Sequence, residues 1–575
     1  MLQDGKIVNE IQATENPSER PLITFLYYNN HSIYYFIKPG RLYKIDLTNN
    51  ERLLIKILDS INLESGYFFI RSDSLYLLNY SNTHDKYEIL KVIQNKLSHL
   101  KSLHFDKKQV RIYEFLNKSN HTEWICTSNG VYILDSNLNI HSKPLFPGKN
   151  ISYVYRDREG LFWFTSLQDG IFVIPSLDII RYDFQNSRLT EDNLTALSIY
   201  DKKSVILGTH SGNLFKLDQA TKEITKLNYP PIKTISTKKI YNQFPNLYVS
   251  HGPLTWLDAT KNKVKHFLFY NIRDLIEYRD SFIFIYPENI HIIAKKAVEN
   301  GLRNNSRIII PFGGRDLLWH KGEVILSLNG GTFSYSNGQV KEIKFNGESI
   351  FATSMSSDSN RLFIGTLSHG ILEYTANKKL VKFNHVLGLK ENEIKLLNFD
   401  GENLWICTNL SLYRFNILSN TLVNISKSYG ISGKNISSIQ CDENKIYLAT
   451  YKGLIEFPRN ISRDNPVAPN TFIDYIHYQN KKLSPAKVIE LPSDNSNLAI
   501  GLISTSLRSK GNYQYKYRLL GLDSNWINIE ASHSEIVYSS IPPGSFLFQA
   551  KAINENEIEG NLVEISIHVD KFFVQ

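Results

Sequence analysis

The sequence predicts an all-β protein, and three observations carry that prediction. A strand–turn–strand segment returns about every forty residues from Gly130 to Gly453. The strands are short aromatic and β-branched runs, and Gly, Asp and Asn stand between them, as hairpin turns require. Near residue 460 the rhythm stops, and apolar–polar alternation takes over in "YQYKYRL" and "SFLFQAKAIN", the mark of half-buried strands.

The clearest unit is "DREGLFWFTSLQDGIFVIP", Asp157 to Pro175. Aligned on the glycine before its second strand, Gly170, related segments centre on Gly130, Gly212, Gly252, Gly331, Gly370 and Gly453. Weaker copies centre on Asn289 and Ser411. The steps from 130 onward are 40, 42, 40, 37, 42, 39, 41 and 42 residues. Each unit reads as four strands; around Gly170 they are "ISYVYRD", "LFWFTS", "GIFVIP" and "IIRYDF". Four strands per forty residues without a helical period indicates a propeller blade. The ring that recurs on the second strand (Trp124, Trp163, Phe363, Trp405, Tyr447) is expected to pack between blades.

Anchors 212 to 453 make seven units, enough to close one ring. Upstream lie Gly170, Gly130 and two looser copies, "HSIYYFIKPGRLYKID" and "GYFFIRSDSLYLLN", with a helix-like "VIQNKLSHLKSLHF" between the last of these and Gly130. The expected architecture is therefore about four blades of an incomplete propeller over 1–179 and a seven-bladed propeller over 180–460. A linker and lead-in follow over 461–483, then a β-sandwich of the immunoglobulin or fibronectin type III kind over 484–575. Four blades alone leave uncovered faces and open edges, so the natural protein is expected to continue N-terminally.

Bulk properties narrow the function classes. The formal charge is +9, but Lys and Arg are scattered among acids without a basic stripe, which argues against nucleic acid. The densest cluster, "NKLSHLKSLHFDKK", reads as a solvated helix face. No apolar run of membrane-spanning length occurs, and "MLQDGKIVNEIQ" lacks the pattern of a signal peptide. Cys126, Cys407 and Cys441 form neither a disulfide framework nor a zinc site, and no metal or cofactor is expected.

The C-terminal pattern Tyr515-x-Tyr517-x-Leu519-x-Gly521 with Trp526, Tyr538, Pro543-Gly544, Phe546, Phe548, Ala552 and Asn554 resembles the three-tyrosine module. That module follows two-component-regulator propeller repeats in periplasmic sensor regions. Asp157, Gly160, Trp163, Thr165 and Gly170 are similar to the signature of those repeats, and Trp405 stands in a second copy. One departure is Phe546, where the third tyrosine keeps its ring and loses its hydroxyl. The resemblance implies the ectodomain of a sensor histidine kinase or hybrid sensor, tethered to the membrane only in the full-length protein and paired as a homodimer through the sandwich. The kinase parts are not in this sequence, so this chain is expected not to be an enzyme.

"YRDREGLFW" misses the sialidase-type Asp-box by a Tyr for Ser and one residue too many before Gly160, and no HExxH, GxSxG or P-loop occurs. His210, His251 and His369 share one turn position in three blades; polar turn residues explain them better than a metal cluster. The turns between second and third strands and the loops leading into first strands share one face of a propeller. There the candidates to contact an oligosaccharide or other small molecule are Gln168, Asp169, Arg188, His210, His251, Asn329, His369, Lys390, Asn409, Lys434 and Lys452. Their mixed amide, imidazole and cation chemistry suits a sugar or uronate. The leading expectation is a glycan-responsive sensor region; a secreted polysaccharide lyase or glycosidase and a protein-interaction scaffold are the alternatives.

Overall fold

The structure is a computed structural model. Before residue 110 it describes the strands and residues 104–105; beyond, it describes 110–118, 122–140, 144–227, 236–243, 245–251, 253–258, 263–300, 306–358, 360–383, 389, 391–461, 467–479, 481–483, 487–492, 497–509, 511, 513–554 and 558–571. Gly252 and Lys390 lie outside these residues. The fold is nearly all β, and the chain divides into two compact units, Met1–Ile174 and Pro175–Gln575.

In the second unit seven sheets succeed one another among the described residues. Blade 1 is Leu194–Asp201, Ser204–Thr209, Leu214–Asp218 and Ile224–Lys226, paired in that order. Blades 2 to 6 repeat the plan within 239–270, 274–310, 314–349, 352–382 and 396–424. Blade 7 takes three strands from 436–458, and its fourth comes from the start of the unit: Ile180–Tyr182 pairs antiparallel with Gly453–Pro458. The first strands of all seven blades touch their neighbours in cyclic order, blade 7 against blade 1 included. This is a closed seven-bladed propeller whose two ends are clasped in one sheet.

Closure has a local cause in the sequence. Tyr182 is 5% exposed among Leu197, Val205, Leu207 and Tyr447, and its hydroxyl donates to Glu456 at 2.9 Å. Glu456, itself buried, also takes the ammonium groups of Lys222 and Lys445. Gly453 has φ +97°, and a Cβ there would lie 2.0 Å from the Tyr182 carbonyl oxygen. The recurring anchor glycine supplies left-handed backbone and, here, room for the closing strand.

Adjacent blades are stitched at their inner strands by side chains that reach the next blade's backbone. Asp274 accepts from Leu317 N–H at 2.9 Å, Ser354 from Leu397 N–H at 3.0 Å, and Ser356 from Phe399 N–H at 2.6 Å. Thr195 donates to Thr237 O and Ser437 to Leu194 O. Between blade faces the aromatic rings meet as expected: Trp405 lies 5.7 Å from Phe457, and Phe363 5.0 Å from Phe399.

Among the described residues the first unit holds four larger sheets, starting at Ile23–Tyr28, Gly66–Arg71, Ile112–Lys118 and Ile151–Arg156. Two expectations are corrected here. The helix-like segment is a hairpin of Lys86–Ile93 and Lys96–Leu103. A bulge between His99 and Lys101 breaks the two-residue alternation, so Leu97, Leu100 and Leu103 fall at a spacing that imitates a helix face. The fourth strand read for the Gly170 unit is absent from that sheet, because Ile180–Tyr182 is the strand that closes the second ring.

The C-terminal sandwich packs one sheet ordered Lys481–Leu483, Asn470–Tyr478, Leu498–Thr505, Glu535–Tyr538 against another of five strands. The pairing departs from all-antiparallel at one edge, where Val488–Leu491 runs parallel to Val563–Val569. Tyr515, Leu519, Phe548, Ile500 and Ile567 fill the space between. Tyr538 donates to Asp523 at 2.9 Å, and Asp523 also accepts Leu519 N–H. The Phe546 ring lies against Gly521 and Gly544. Trp526 lies near two cations, Arg518 at 4.5 Å and Lys551 at 4.9 Å from its ring centroid.

Candidate functional site

The face predicted to hold a ligand exists: turns between second and third strands touch the loops leading into first strands. Gly370 N–H donates to Asn392 O, Gly433 N–H to Leu410 O, and His210 N–H to Asn193 O. His210, Asn329 and Asn409 are exposed on blades 1, 4 and 6, and Lys434 and Lys452 are both exposed at blade 7. Gln168 and Asp169 belong to the first unit, where Asp169 pairs with Lys149 at 2.6 Å. Arg188 reaches Glu223, 4.0 Å away, beside the hairpin at the other end of blade 1.

The three histidines separate. His251 is 1% exposed and lies 3.4 Å from the Thr255 hydroxyl, which also meets His266 at 2.9 Å. Burial, with the neighbouring His266, lowers the His251 imidazole to about 4. Its ring therefore faces its own blade and not solvent. His369 is half-buried against Phe345. Among the described residues no group of three or more His, Cys, Asp or Glu side chains could hold a metal. All three cysteines are free, and burial pushes the Cys407 and Cys441 thiols up to about 12.

The structure also gives the repeat signature a physical role. Asp157 accepts Leu161 N–H at 2.9 Å within its turn and the Trp163 indole N–H at 2.7 Å across the hairpin. Asp400 with Trp405 and Asp442 with Tyr447 repeat the clasp at 3.0 and 3.1 Å. These residues hold hairpins together.

Two features were missed from the sequence. At the channel end nearest the turn face, Lys239 of blade 2 lies 3.0 Å from Asp274 of blade 3 and 3.4 Å from Asp316 of blade 4. Burial disfavours both charges; the two carboxylates more than offset this for Lys239 and hold its ammonium above the ordinary value, while burial raises the Asp274 carboxyl. The available signal was the tripeptide Arg-Asp-Leu at 273–275 and again at 315–317, one repeat apart. Because each carboxylate also holds the next blade's backbone, this cluster belongs to ring closure.

The second feature is a cavity of about 480 Å³ on the opposite face, between blades 2 and 3. Tyr248, Trp256 and Lys265 lie side by side across three strands of blade 2. With Gln243, Asn246 and Phe267 they form one wall, and Lys295 and Glu299 of blade 3 form the other. The opening arises because the short helix Lys295–Glu299 replaces a tight hairpin between the third and fourth strands of blade 3. Tyr248 is 2% exposed, and burial, with Glu299 and Glu277, pushes its phenol up to about 12.

Comparison with known proteins assigns the last module. Residues 507–570 match the Y_Y_Y domain. The C-terminal sandwich carries a Y_Y_Y domain. A curated relative, Histidine kinase P4 of Formosa agariphila, is 24% identical over 202 residues, which is 32% of this chain; the chain spans 14% of that relative's length. Two solved structures from B. thetaiotaomicron are similar. One is described as the extracellular domain of the hybrid two component system BT4673, with 13% identity, 98% of this chain and 88% of that one covered, and a TM-score of 0.42. The other is described as that of BT3049, with 16% identity, 96% and 85% covered, and a TM-score of 0.38.

Proposed function

We propose that this chain is the ligand-receiving, periplasmic part of a two-component sensor histidine kinase, responding to a glycan or related nutrient cue. The observation that carries the reading is the Y_Y_Y match at 507–570 on a sandwich directly following the seven-bladed ring. The ring receives the ligand, and the sandwich relays its occupancy to a membrane helix outside this sequence. No helix among the described residues is long and apolar enough to cross a membrane. A physical link supports the relay: Arg508 of the sandwich donates to Pro175 O at 3.2 Å and lies over the ring of Tyr429, the last residue of the short helix Ile425–Tyr429 that follows blade 6. A ligand shifts such a device only by preferring one arrangement of ring and sandwich.

The signalling unit is proposed to be a homodimer joined through the sandwich. Phe472 and Ile503 stand opposite each other on the outer face of its four-stranded sheet, about half exposed, with Val537 beyond, and apolar faces of this kind mark contact surfaces.

Thermal unfolding of the 575-residue chain with a panel of neutral and acidic oligosaccharides tests the reading. A ligand for the folded state raises the melting temperature in proportion to its saturation. A folded chain whose transition no saccharide moves would remove the glycan from the proposal.

A further inference from the structure

The cavity between blades 2 and 3 is built unlike the rest of the ring. Tyr248, almost fully buried, has no hydrogen-bond partner for its hydroxyl among the described residues, nor does the half-buried Trp256 for its indole N–H, nor Asn246 for its side-chain amide. Polar groups not engaged within the chain are left for a ligand's hydroxyls to meet. Donors and acceptors around an aromatic wall, in a volume of ligand size, are the composition of a small-molecule site.

Charge selects the class of ligand. Lys295 is neutralised by Glu277 at 2.9 Å, and Gln243 is held by the same carboxylate. That leaves Lys265 and Glu299 as the remaining lining charges, and the Lys265 ammonium is held by the Glu299 backbone carbonyl. The described lining is thus electrically balanced, with an exposed carboxylate at the rim. A carboxylate ligand would meet Glu299 as a like charge in a lining whose charges, with Glu277 beside Lys295, sum to zero. A neutral polyol meets none of these costs, and Glu299 can accept from two of its hydroxyls.

We propose that this cavity binds a neutral pyranose unit of a saccharide. One apolar sugar face stacks on Trp256, and the hydroxyls bond to Tyr248, Asn246 and Glu299. The inference rests on reading the ring as the ligand-receiving part, and it narrows the expected sugar or uronate to an uncharged sugar. It also moves the contact from the turn face to the opposite one.

The test is calorimetric titration of the full 575-residue chain with cellobiose, maltose, mannobiose and xylobiose, beside glucuronate and digalacturonate. Trp256→Ala and Glu299→Gln are titrated in parallel. The expected result is that a neutral disaccharide binds, and that Trp256→Ala weakens it by about tenfold, the scale of one lost aromatic contact. Glu299→Gln, an exposed position that leaves the melting temperature unchanged, weakens it severalfold. Neutral-sugar binding that survives both substitutions overturns the site and leaves the receptor reading intact. Uronates binding more tightly than neutral sugars overturn the ligand class. A folded wild-type chain that binds none of the six sugars overturns the site and the glycan reading together.

Discussion

Blade 7 of the closed ring and the last sheet of the first unit descend from the same sequence pattern and end differently. In both, an aromatic residue on the second strand pairs across to the third, Tyr447 with Glu456 and Trp163 with Val173. In both, a glycine with positive φ stands at the start of the third strand, Gly453 as its first residue and Gly170 just before it. Yet Leu454 is fully buried, while its counterpart Ile171 is 60% exposed; Tyr153 and Tyr155 on the same sheet are 45% and 57% exposed. The difference is the strand Ile180–Tyr182. It completes blade 7, brings that blade's face against blade 1, and leaves Ile171–Ile174 as a sheet edge. Burial in a propeller is thus a property of closure more than of the individual blade.

The largest way to break that contrast is to remove the clasp. Tyr182→Ala deletes a buried ring and the hydroxyl that Glu456 accepts, and should destabilise the second unit by about 4 kcal/mol in urea unfolding. Next comes a matched pair of glycines. Gly453→Ala places a Cβ against the Tyr182 carbonyl, whereas Gly170 has φ +77° and nothing within 4 Å of such an atom. The first should cost about 3 kcal/mol and the second about 1 kcal/mol, the strain of left-handed backbone alone. Equal losses would mean that the closing strand is not seated where the structure has it.

His251 sharpens the contrast through pH. Its folded value, about 4, lies below the ordinary 6.5, so the unfolded chain binds a proton there that the folded chain refuses. Its contribution is fully present above about pH 6.5 and is lost as the pH falls toward 4, by roughly 3 kcal/mol in all. In His251→Asn, the loss of stability between about pH 7 and about pH 4.5 should be correspondingly shallower. The smallest effect is expected at the open face, where Ile171→Ser should change stability by no more than about 0.5 kcal/mol.

Much of the fold could be read from residue spacing because hairpins are local. The anchor glycines announce turns with positive φ, and the aromatic positions announce faces that pair across blades. The bulge at His99 to Lys101 was illegible, since an extra residue in a strand leaves apolar positions three apart, as a helix does. The candidate site was less legible. The turn face followed from topology, but His251, on a turn like His210, turned inward against Thr255 and His266. The cavity escaped notice because its wall, Tyr248, Trp256 and Lys265 on consecutive strands of blade 2, faces a five-residue helix in the neighbouring blade that opens it, and no local pattern encodes that meeting.

The sequence by itself determined the forty-residue unit, the number of units in the second ring and the tyrosine-rich sandwich, because each rests on contacts between residues close in the chain. Only the tertiary structure decided which strand closes the ring, which aromatic faces are covered, and where a cavity opens between blades. Those outcomes depend on meetings between segments as distant as Tyr182 and Glu456, and no local periodicity encodes them.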